Sequence, residues 1–182
     1  KPPTPIPVPS TTPPNWPEAA HPLEPAEATA AETQGFKAQS GRCLPLTGRD
    51  GKLSRVLLGL GEKKSGDDAF LPGKLARLLP QGSYRLEGEV ASFRLAALAW
   101  LLEAYVFARY KKPQGEAAAL LCPHEEDRDH IIMQADAVWL ARDLINTPAC
   151  DMGPGELEQA AKDLAAKHKA NMRTIIGKPL DA

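Results

Sequence analysis

Cysteine is scarce and scattered. Cys43, Cys122 and Cys150 are odd in number and form no CxxC pair, which suits a reducing compartment better than a disulfide framework. Aromatic residues make up only 5% of the 182 residues. An excess of charge of one sign is also lacking: 22 Lys and Arg against 23 Asp and Glu leave a formal net charge of -1. That balance gives no electrostatic case for nucleic acid or for an anionic membrane as partner. The first residues carry neither the basic nor the apolar segment of a signal peptide, so a cytoplasmic location is expected, without taking Lys1 as the natural start. The most hydrophobic stretch, Phe93 to Tyr110, is too short and too interrupted, by Arg94, Glu103 and Arg109, to span a bilayer. Even so, 43% hydrophobic residues suffice to bury a core, and the length fits one domain of moderate size and part of another.

Motifs that carry chemistry are as sparse. Gly59-Leu60-Gly61 follows a strand candidate, yet a dinucleotide fingerprint needs a third glycine where Lys64 stands, and a phosphate loop needs GK followed by Ser or Thr. A turn that ends the strand is the expected role. His124 to His130 reads HEEDRDH, but two histidines six apart on a helix lie about 240° around the axis and cannot share one ion. A solvated helix start, with Glu125, Glu126 and Asp127 near the positive end of the dipole, is expected there instead. His21 and His168 have no convincing partner, and no Ser-His-Asp or Cys-His arrangement stands out. The residues therefore nominate no catalytic, cofactor-binding or metal-binding side chain.

What is present is an organised alternation. Lys1 to Pro25 holds ten of the eighteen prolines, spaced too densely for a helix or a central strand, and reads as an extended arm with Trp16 as its one large apolar anchor. Its PxPxP-like run resembles a ligand for proline-recognising domains less than it does a plain tail or edge-hugging segment. Leu23 to Gly35 turns to Ala and Glu, a short helix ended at Gly35. Arg42 to Leu46 and Arg55 to Leu60 are strands, joined as a hairpin by Gly48-Arg49-Asp50-Gly51. Pro72 opens a short helix through Leu79, Tyr84 to Glu87 gives a strand, Phe93 to Tyr110 a core helix, and Ala117 to Cys122 a buried strand. Strands alternating with helices predict an α/β layer architecture.

The stretch Ala137 to Leu157 marks the joint between two regions. A helix traceable back to Glu125 carries Asp129, Asp136 and Asp143 on one narrow strip and Ile131, Ile132, Ala135, Val138, Trp139 and Ile145 on a broad opposite arc. Such a helix is expected to be covered on more than one side. Arg142 falls inside the apolar arc and needs a carboxylate or carbonyl partner if buried. Pro148 stops this helix, with Asn146 as polar terminator, and Pro154 opens the next, with Glu156 and Glu158 in its first turn. Leu157, Ala160, Ala161 and Leu164 form the apolar side of that helix to His168, and Met172 to Ile176 reads as a strand ended by Gly177.

The run Ala141-Arg142-Asp143-Leu144-Ile145-Asn146-Thr147-Pro148, followed by Gly153-Pro154 and a helix containing Leu157, resembles the segment linking the N-terminal to the catalytic domain in the leucyl (cytosol) aminopeptidase family of metallopeptidases. Cys150 departs from that pattern, where the family more often has Asn. The resemblance implies a small N-terminal mixed-sheet α/β domain, a long connector helix and the first helix-strand unit of an α/β catalytic domain. Its boundaries would be an arm and short helix at 1–35, the domain at 36–124, the connector at 125–147 and the truncated catalytic start at 148–182.

By the same resemblance, the whole protein would be a hexameric enzyme that removes N-terminal residues from peptides with two divalent metal ions, zinc or manganese. The family's metal-binding Asn-Thr-Asp-Ala-Glu-Gly-Arg segment does not occur in this chain, so no catalytic or metal residue carries over, and this portion would serve folding, assembly and substrate access. The competing reading is a free-standing α/β binding or regulatory module without peptidase activity. Near-neutral charge and the missing phosphate loop count against it.

Overall fold

The computed structural model describes residues 4–13, 16, 23–62, 68–88, 90–113, 115–122 and 125–177. Five strands form one mixed sheet: β1 (Ile6–Thr11), β2 (Cys43–Thr47), β3 (Leu53–Gly59), β4 (Ser83–Gly88) and β5 (Ala119–Leu120), in the spatial order β2-β3-β1-β4-β5. The helices are α1 (Pro25–Thr33), α2 (Leu75–Leu78) with a 3-10 turn (Leu71–Lys74) before it, α3 (Phe93–Ala104), α4 (Glu125–Asn146) and α5 (Pro154–Lys167). The expected α/β class and hairpin are present, and α4 is the long helix traced back to Glu125.

Strand β1 corrects the expectation of an extended arm unfit for a central strand. It is the middle strand, parallel to both β3 and β4. Successive residues of a strand aim their backbone groups at opposite neighbours. The Thr11 carbonyl accepts the Leu60 N–H at 2.8 Å, just past β3, so Pro9 and Pro7, two and four residues earlier, face the β3 side as well. Pairing with β3 is confined to Ser10 and Thr11, whereas pairing with β4 runs from Ile6 to Ser10. The missing proline N–H groups thus fall where no ladder needs them. Trp16 does make an apolar contact, meeting Phe36 edge-on at 4.9 Å.

Both faces of the sheet are covered. Val56 and Leu58 point into a cluster with Val8, Leu75, Tyr84 and Trp100, while Leu57 between them joins Phe36, Leu44 and Leu46 on the other face. Burying each such side chain contributes about 1.5 to 3 kcal/mol. Exposed ion pairs such as Arg49 with Glu24 contribute about 0 to 1 kcal/mol, so the two clusters hold the sheet together. Two glycines permit close backbone approaches. A Cβ on Gly73 would lie 2.7 Å from the Ala99 backbone, which lets the 3-10 turn rest directly on α3. At Gly59 a Cβ would lie 2.2 Å from the Gln39 carbonyl oxygen. The Gly59-Leu60-Gly61 run accordingly serves backbone packing at the strand end; Lys64 lies outside the described residues.

Two further expectations are corrected. The helix expected over Phe93 to Tyr110 ends at Ala104, because Tyr105 turns to φ -59°, ψ 132° and the terminal carbonyls find side-chain donors. Met172 to Ile176 has no strand assignment, since no described segment lies alongside to complete a ladder. Among the described residues no helix is long and apolar enough to cross a membrane.

Candidate functional site

The most elaborated polar constellation is the junction where the C-terminus of α3 meets the second half of α4. A helix leaves its last four carbonyls without intrahelical partners and gathers negative partial charge at that end. Here side chains supply the donors. Trp139 Nε1 donates to the Leu101 carbonyl at 3.1 Å, Arg142 Nη1 to Leu102 at 2.7 Å, and Arg77 Nε to Glu103 at 2.6 Å. Arg77 also donates to the Tyr105 carbonyl. Two guanidinium groups thus stand at the negative end of α3, and the partner required for Arg142 is a carbonyl.

Tyr105 occupies the centre of this junction. Its ring lies 4.0 Å from the Arg142 guanidinium carbon and 6.2 Å from the Trp139 ring. Its hydroxyl donates to Asp143 Oδ1 at 2.7 Å and accepts from Asn146 Nδ2 at 3.1 Å. Burial, and then the hydrogen bond to the Asp143 carboxylate, push the Tyr105 hydroxyl above its usual pKa, because both favour the neutral phenol. Asp143 is therefore tied to α3 although its strip of α4, with Asp129 and Asp136, is exposed.

Among the described residues α4 is covered on one side. Ile131 and Ala135 are buried and Trp139 and Arg142 half-buried against the domain, while Val138 and Ile145 are 39% and 81% exposed. Helix α3 provides a single layer and nothing described lies on the opposite face. Thr147, buried beyond the last turn, donates through Oγ1 to the Asp143 carbonyl at 2.6 Å and closes α4 just before Pro148. Helix α5 starts at Pro154 as expected, with Glu156 accepting the Gly153 N–H at 3.0 Å, but none of its residues is buried. A second link crosses the junction where Tyr110 donates to Asp151, a hydrogen bond that raises the Tyr110 pKa.

Sequence reasoning found Arg142, Asn146 and the proline breaks; it missed Arg77, Tyr105 and Thr147, whose partners lie from 4 to 41 residues away. His124 and His21 lie outside the described residues, and His130 is exposed. Among the described residues no three His, Cys, Asp or Glu side chains converge so as to hold a metal ion. The two divalent ions implied by the resemblance find no ligand set there. What the junction does chemically is to neutralise a helix end and fix the direction in which the chain leaves the domain.

The model of the M17 aminopeptidase N-terminal domain matches residues 6–123. This chain belongs to that family. Among solved structures it is similar to the cytosol aminopeptidase of Coxiella burnetii, with 30% identity over 100% of this chain and 40% of that one and a TM-score of 0.87. The bottromycin maturation enzyme BotP in complex with Mn shares the fold at 19% identity and TM-score 0.72, over 97% of this chain and 39% of that one. A mutant tomato leucine aminopeptidase shares it at 16% identity and TM-score 0.66, over 90% and 40%. No curated protein matches the chain. The M17 N-terminal fold is thus present, and the chain spans about 40% of the length of the solved structures it resembles.

Proposed function

We propose that this M17 chain is the N-terminal portion of a leucyl aminopeptidase that removes N-terminal amino acids from peptides by two-metal hydrolysis. The family match over residues 6–123, continued by the connector and the Pro148 to Pro154 break, is the observation that carries this reading. Residues 125–147 act as connector and residues 148–182 open the catalytic domain. Metal ligands and reacting groups belong to that domain. The ions are zinc or manganese, in keeping with the manganese named for BotP. The protein works in the cytoplasm as a hexamer, and this portion supports folding, assembly and access of peptides to the site.

The reading is tested with leucine p-nitroanilide. The 182-residue chain, supplied with zinc or manganese, produces no turnover above the metal blank. Hydrolysis that copurifies with this chain through two chromatographic steps contradicts it.

A further inference from the structure

An apolar cleft of about 420 Å³ opens between α3, β5 and the first turns of α4. Its size comes from small side chains: Ala97 and Ala104 on α3 and Ala118 before β5 line it, where larger aliphatic residues would fill it. Trp100 and Ile131, 1% and 3% exposed, form its inner wall. Protein interiors are packed as tightly as organic crystals, so an opening of this size is not a packing defect. It falls within the range of small-molecule sites, roughly 300 to 1,000 Å³.

Among the described residues, one charged side chain lines the cleft. Arg128 is exposed at its edge and has no ion-pair partner among the described residues. Asp129, its neighbour in sequence, is exposed and does not line the cleft. A guanidinium presents two parallel donors that match a carboxylate. An ammonium would be repelled, and a dianionic phosphate would keep an unneutralised charge against apolar walls. We propose that this cleft binds an aliphatic monocarboxylate, its chain along Ala97, Ala104 and Trp100 and its carboxylate on Arg128. The proposal does not depend on the peptidase reading.

Calorimetric titration of the chain with sodium octanoate, octan-1-ol and octylamine tests it. Octanoate binds saturably at one site per chain and octylamine does not. Hexanoate binds more weakly, by up to about fourfold for each methylene removed from the cleft. Arg128→Gln weakens octanoate about 1.5- to fivefold, the range for an exposed charge pair, and leaves octanol unchanged. Ala119→Phe, which fills the cleft from an exposed strand position, abolishes binding of both. Failure of octanoate to saturate overturns the proposal, as does equal octanoate affinity in Arg128→Gln. Concentration-dependent self-association that Ala119→Phe suppresses, without octanoate binding, assigns the cleft to a second copy and likewise overturns it. Because Arg128 is exposed, its variant keeps the test decisive even should Ala119→Phe not fold.

Discussion

The Arg142 guanidinium carbon sits 4.0 Å from the centre of the Tyr105 ring while Nη1 of the same group donates to the Leu102 carbonyl at 2.7 Å. One side chain of the connector therefore stacks on the residue that ends α3 and caps the helix behind it. Arg142→Ala removes both contacts and leaves a half-buried carbonyl without a donor, at a cost of about 2 to 3 kcal/mol. Arg142→Lys keeps the charge but loses the planar stack, and recovers only part of that stability. Urea denaturation of the three proteins checks the order.

Alkaline pH acts on the same junction through Tyr105. Its folded pKa lies above the ordinary 10.0, so in the unfolded chain the phenol loses its proton first. Its contribution to stability is complete below the unfolded pKa and is lost as pH rises through the folded one. Tyr105→Phe is accordingly less stable at neutral pH, for want of the Asp143 bond, and its stability falls less steeply than that of the parent above about pH 10. Denaturation midpoints across that range measure the difference.

At Gly59 an added methyl would stand 2.2 Å from the Gln39 carbonyl oxygen and 2.5 Å from the Ala38 carbonyl carbon, both backbone, with no flexible side chain to yield. Gly59→Ala is expected to cost about 1 to 3 kcal/mol or to prevent folding. Gly35→Ala meets no atom within 4 Å and loses only the preference of a left-handed position, about 1 kcal/mol. Thermal melts of the two variants separate packing from backbone conformation.

Removing residues 1–12 tests the role of β1. A dispensable arm would leave a cooperative transition intact. A central strand leaves β3 and β4 unpaired on their facing edges, and the truncated chain loses cooperative unfolding and dispersed amide resonances.

Local signals in the sequence were sufficient where partners are near. The Gly48 to Gly51 turn, closed by the Gly48 N–H on the Lys52 carbonyl at 2.8 Å, sets the β2–β3 hairpin, and Pro148 and Pro154 bracket the break after the connector. The need of Arg142 for a partner was legible because a charge in an apolar arc is costly. Strand β1 was hidden because the penalty for proline depends on which neighbour its nitrogen faces, a tertiary fact. The end of α3 was hidden for a related reason: Tyr105 to Tyr110 continues an apolar run, and only Arg77, Trp139 and Arg142 make termination at Ala104 favourable. The apolar residues of α4 pointed to two covered sides, of which the described chain provides one.

The size of the native polypeptide tests the central claim most directly. Extract from the source is fractionated, probed with an antibody to residues before Pro148, and assayed in parallel for metal-dependent hydrolysis of leucyl peptides. The account predicts that the antigen runs at more than twice the 19.6 kDa of this chain and tracks the activity. Antigen near 19.6 kDa in fractions without activity would contradict it and leave the M17 fold serving as a binding module on its own.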